Sequence, residues 1–250
     1  MAEAELPRKP RPGAVPSLKR SVSTLFASIM MEIYEEAICT MRRSFGILKC
    51  HKSAYIALNG LFHSTVAISM LVATAFPWLH ETALERVNAQ LDGYKAGRIV
   101  TRAYSSGNVP WAAFLTFVIN LSVGSFTTIT LPSLLCPYSG IALVMYRAVE
   151  WGLIFAMPKS HVKLLPHYVT MIIEGQAYVI AAVATWLQGR MLLKYKRYGF
   201  TSYWAGYRAG LRVSAHIYSL VIPILFVAAI YEAVEVIYLP LDSVGRAGQE

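Results

Sequence analysis

The chain has 250 residues, of which 56% are hydrophobic and only 15% charged, and its formal net charge is +9. A soluble domain ordinarily carries roughly 25% charged residues, so the composition argues against a soluble globular class and for a bilayer as solvent. No basic stripe interleaves with aromatics as in a nucleic-acid-binding fold, and Cys39, Cys50 and Cys136 are too few and too irregularly spaced for a disulfide framework.

In chain order, residues 1–16 hold Pro7, Pro10, Pro12 and Pro16 among Arg8, Lys9 and Arg11. That composition cannot bury a core and predicts a basic, proline-rich tail. It has no apolar h-region, so no signal peptide is expected. Residues 17–50 read as an amphipathic interfacial helix, because Leu18, Val22, Leu25, Phe26, Ile29, Ile33, Ala37, Ile38 and Met41 recur at steps of three and four. Lys19, Arg20, Arg42 and Arg43 would meet lipid phosphates from such a helix. Glu32, Glu35 and Glu36 would be repelled by anionic lipid and favour docking on a partner helix.

Residues 53–241 are expected to form one transmembrane domain of five helices, at 53–76, 109–135, 138–157, 165–193 and 211–239. About 20 mostly apolar residues suffice for one crossing of a hydrocarbon core roughly 30 Å thick. The second of these stretches contains no ionisable side chain, which is uncommon for a soluble core helix of that length. The predicted fold class is therefore all-α, a polytopic membrane helix bundle preceded by an amphipathic helix.

Between the spans, 77–108 predicts a short helix around Leu84, Val87, Leu91 and Tyr94. The connection near Pro137 is so short that spans two and three must form a tight hairpin, with Gly140 permitting close approach. Residues 195–212 mix Tyr195, Tyr198, Tyr203, Trp204 and Tyr207 with basic side chains, an interfacial belt in which Lys194, Lys196 and Arg197 would meet lipid or a partner. Gly206 and Gly210 have helix-contact spacing, which outside the apolar core is weak evidence of an interface. Residues 242–250 form a polar tail. The excess of Lys and Arg on the side of the N-terminus predicts a multi-pass protein of the plasma (inner) membrane with its N-terminus cytoplasmic and its C-terminus outside.

Ionisable groups inside spans cost several kcal/mol on insertion scales and need a partner, water or a function. Arg147 and Glu150 lie three apart, within salt-bridge reach on one face. His167 and Glu174 share a face of span four without an obvious partner, and a proton or ion relay is conceivable there. In span five Pro223 should kink the helix, and Glu232 is expected to lie deeper than Glu235. Asn120 can hydrogen-bond across helices as packing glue. No zinc, nucleotide or nucleophile-elbow motif occurs, so no catalytic residue, metal or cofactor is expected; the enzyme rival would be an intramembrane hydrolase built on His167 and a carboxylate.

From about Phe114 to Leu239 the chain resembles the stage II sporulation protein M family of integral membrane proteins. The matching pieces, in order, are Phe117-x-x-Asn120, Ser139-Gly140, Leu165-Pro166-His167, Glu174-x-x-Ala177-x-x-x-Ala181 with Gly189, and Ile222-Pro223-x-x-x-x-Ala228-Ala229-x-x-Glu232. Two departures stand out: Ser139 replaces the family's Asn, and Glu174 follows His167 at a longer interval. The resemblance implies a non-catalytic scaffold or accessory subunit whose partners are membrane lipids and other membrane protein subunits. The alternative is a permease component working with a separate ATPase, in which Asn120, Arg147, Glu150, Glu174 and Glu232 converge on a polar cavity.

Overall fold

A computed structural model describes residues 18–93, 95–156 and 165–239. The expected tails at 1–16 and 242–250, and Tyr94 and Met157, lie outside the described residues. Every described element is helical: α1 Leu18–Cys50, α2 Lys52–Ala75, α3 Pro77–Gly93, α4 Lys95–Ser105, α5 Val109–Ile119, α6 Leu131–Leu135, α7 Ser139–Ile154, α8 Leu165–Leu193 and α9 Tyr203–Tyr238. A π-helical segment, Asn120–Thr130, joins α5 to α6.

The chain divides into two units, residues 1–39 and 40–250. In the first, α1 is continuous helix from Leu18, and Met30, Met31, Ile33 and Tyr34 are exposed along with Glu32, Glu35 and Glu36.

The second unit is the bundle. Four helical stretches are long and apolar enough to cross a membrane: Lys52–Ala75, Val109–Leu135, Leu165–Leu193 and Tyr203–Tyr238. The chain is thus a multi-pass membrane protein. Large apolar side chains such as Ile56, Leu71, Phe114, Phe126, Ile222 and Phe226 stand exposed on the outside, as a hydrocarbon solvent allows.

The expected third span is α7, whose 16 residues give a rise of about 24 Å, short of the roughly 30 Å core. The Tyr138 ring before its start packs on Gly189, and the Phe155 ring after its last turn lies tilted against His167 with ring centroids 4.4 Å apart. α7 therefore lies alongside α8 between Gly189 and His167, and four stretches, not the expected five, are long and apolar enough to cross a membrane. The other differences are at helix ends. α9 begins at Tyr203, eight residues before the expected span, because Ser202 caps it by accepting from the Ala205 N–H at 3.2 Å. The 77–108 connection folds into α3 and α4, two helices where one was expected.

Small residues set the packing. α8 is the central helix, with 72% of its membrane-length window buried, and α9 lies along it. At Gly206 a Cβ would strike the Met191 carbonyl oxygen, and at Gly210 it would come within 2.9 Å of the Gln188 Cα. Gly206-x-x-x-Gly210 is therefore an α8–α9 contact after all, within one helix that begins earlier than expected. The tight hairpin holds as expected: Ser133 Oγ accepts from the Gly140 N–H at 2.7 Å, and a Cβ on Gly140 would collide with the Ile129 carbonyl. The end of α1 docks on α9 through Ser44, whose hydroxyl lies 2.7 Å from the His216 carbonyl and 3.1 Å from Ser219 Oγ.

Candidate functional site

The polar interior is organised by one stripe of α8. His167, Thr170, Glu174 and Tyr178 follow one another at three- and four-residue steps, which places them on one helical face. On α9, Glu232 and Glu235 are three apart and face that stripe. Thr170 Oγ1 donates to Glu235 Oε2 at 2.8 Å, and His167 Nδ1 lies 3.2 Å from Glu235 Oε1. Glu235 is only 2% exposed and Glu174 7%.

Two helical turns beyond Thr170, the Tyr178 hydroxyl donates to Glu174 and accepts from Arg147 Nη1 at 3.1 Å. The Arg147 guanidinium also lies over the Tyr178 ring, 4.9 Å from its centroid, so the ring face and the hydroxyl both share its charge. Gly124 of the π-helical segment makes room for this group; a Cβ there would sit 2.5 Å from the Tyr178 hydroxyl and 3.2 Å from Arg147 Nη1. On the far side of Glu232 stands Tyr104 of α4, hydrogen-bonded to Thr116 at 2.7 Å. Burial above all pushes the Tyr104 phenol well above its ordinary value, so it stays protonated. Glu232 itself lies within electrostatic reach of Glu174, His167 and Glu235. α4, α5, α7, α8 and α9 thus converge on three carboxyls, one guanidinium and one imidazole.

Four of the residues singled out by sequence meet here: Arg147, His167, Glu174 and Glu232. Two do not. Asn120 is half-buried at the start of the π-helical segment, outside this set of contacts. Glu150 sits beside Tyr146, near Arg86. Arg147 and Glu150 form no ion pair, because Tyr178 offers the guanidinium both a ring face and an acceptor. Glu235 is buried and Glu232 half-buried. Thr170, Tyr178, Glu235 and Tyr104 were missed as members, although the α8 spacing already aligned Thr170 and Tyr178 with His167 and Glu174.

A second polar network joins α2 to the opposite face of α8. Gln176 Oε1 accepts from Tyr55 and from Asn59 Nδ2, both at 2.7 Å, while its Nε2 contacts Asn59 Oδ1 at 3.1 Å and His63 Nε2 at 2.9 Å. Beside it an apolar hollow of about 190 Å³ opens between α2, α7 and α8, lined by Phe62, His63, Trp151 and Met171 among others.

The basic residues expected to meet lipid or a partner are exposed: Arg42, Arg43, Lys194, Lys196 and Arg197. The last three line an open hollow of about 350 Å³ with Tyr195 and Tyr203. The side chains of Lys19 and Arg20 lie outside the described residues. At the same end of the bundle, Arg190 stacks over Trp186 at 4.6 Å, and His51 meets that indole edge-on at 5.8 Å. Burial, and secondarily the Arg190 charge, hold the His51 imidazole below its usual 6.5.

Comparison with protein-family models, with curated proteins and with solved structures finds no match to this chain.

Proposed function

We propose that the chain is a non-catalytic scaffold or accessory subunit of a larger membrane protein assembly, oriented with its N-terminus on the cytoplasmic side of an inner membrane. The observation that carries this reading is the 30–39 segment of α1. It exposes Met30, Met31, Ile33 and Tyr34 beside Glu32, Glu35 and Glu36. This segment is acidic although α1 as a whole is not, and its carboxylates are repelled by an anionic lipid surface, whereas a partner protein can cover the apolar side chains and answer those charges. The sequence resemblance to the stage II sporulation protein M family agrees with an accessory role.

A photo-reactive residue at Ile33 or Tyr34, activated in native membranes, tests the reading. Adducts of discrete protein mass are expected; adducts with lipid alone would overturn it.

The permease reading is favoured by a different observation, the convergence of Arg147, His167, Glu174 and Glu232 inside the bundle. Loss of flux in Glu174→Gln with assembly intact would establish that second role, and loss of both together would return the cluster to scaffolding.

A further inference from the structure

Three carboxyls and one guanidinium cannot all be ionised in hydrocarbon. With Arg147 charged and Glu174, Glu232 and Glu235 all ionised, the cluster would carry two uncompensated negative charges, each costing on the order of several kcal/mol. Arg147 answers one carboxylate, Glu174, through Tyr178. Neutrality then requires two protons spread over Glu232, Glu235 and His167.

Those three groups can hold them in three ways of equal total charge. In the two that leave a single proton between His167 and Glu235, Glu232 keeps the other, and the shared proton sits either on His167 Nδ1, opposite an ionised Glu235, or on Glu235 Oε1, opposite a neutral imidazole. The two atoms are 3.2 Å apart. Both are buried, and neither has an aligned hydrogen-bond partner. A settled structural ion pair would align that contact. Here the second oxygen of Glu235 is fixed by Thr170, and Oε1 is left pointing at the imidazole.

We propose that His167, Glu235 and Glu232 form a proton-binding site at the Leu165 end of the bundle, sharing two protons among three groups and exchanging one between His167 Nδ1 and Glu235 Oε1. The ligand is a proton, because among the described residues no group of three His, Cys, Asp or Glu side chains is arranged to hold a metal ion. The groups facing the site are Tyr104 from α4, Arg147 from α7 and Glu174 and Tyr178 from α8. His167 is the member nearest the helix end, two residues from the start of α8, with the Phe155 ring packed against its imidazole. In the exchange, the N–H bond of the imidazolium breaks as the O–H bond of the carboxylic acid forms, and net charge is unchanged. The site stands on this geometry under either reading of function.

The test is infrared spectroscopy of the purified full chain in lipid bilayers, reading the C=O stretch of protonated carboxyls. The wild type is expected to keep this band at neutral pH and to lose it on alkalinisation. Glu232→Gln and Glu235→Gln should each weaken it. His167→Gln should strengthen it, because both protons must then sit on carboxyls, a gain that a merely structural histidine would not produce. Glu150→Gln should leave it unchanged. Absence of the band at neutral pH in the wild type, or no gain in His167→Gln, would overturn the proposal. Because the isolated chain is used, neither result bears on the assembly reading.

Discussion

At the scale of single residues, Tyr178 holds the site together, since its hydroxyl bridges Glu174 and Arg147. Tyr178→Phe keeps the ring stack and removes the bridge, leaving a buried carboxylate short of a donor. It should destabilise the bundle by about 1–3 kcal/mol, read from denaturant titration in detergent micelles. His51 gives a pH signature of its own. Its folded-state affinity for a proton lies below the ordinary 6.5, so the unfolded chain binds protons more readily. Its contribution to stability is therefore complete above that value and is lost as pH falls below it. Thermal unfolding followed across mildly acid pH should show this decline, and His51→Asn should flatten it.

At the scale of elements, close approach of helices decides what each glycine does. Gly206→Ala places a methyl against the Met191 carbonyl and should cost about 1–3 kcal/mol as overpacking. Gly60→Ala, with nothing within 4 Å of its Cβ, should instead stabilise α2 by about 0.5–1 kcal/mol. Opposite signs from the same substitution, measured by thermal unfolding, separate packing from helix propensity. The α2–α8 network calls for a double-mutant cycle on Asn59→Ala and Gln176→Ala, where a coupling of about 0.6 kcal/mol, and at most about 1.7, is expected for a hydrogen bond in a bilayer.

Spans with long apolar runs were legible to their ends: Val109–Leu135 and Leu165–Leu193 have the bounds expected from sequence. The start of α9 was not, because its first turns carry Tyr203, Trp204, Arg208 and Arg212, whose composition reads as interface whether or not it is helical. The site was half legible for a related reason. A one-helix pattern aligns His167 with Glu174, but which carboxylate of α9 faces them depends on the rotation of α9 about its axis. Gly206 and Gly210 fix that rotation, and it buries Glu235 more deeply than Glu232.

At the scale of the whole molecule, a membrane bundle with a charged interior follows an amphipathic helix whose apolar side chains at 30–34 are exposed. The proposed place in a larger assembly rests on that exposed segment. The most direct test is the mass and composition of the particle extracted from its native membrane in mild detergent. Stoichiometric companion polypeptides, lost when Ile33 and Tyr34 are both replaced by Ser, are the predicted result. A particle containing this chain alone, as monomer or homo-oligomer, would contradict the account.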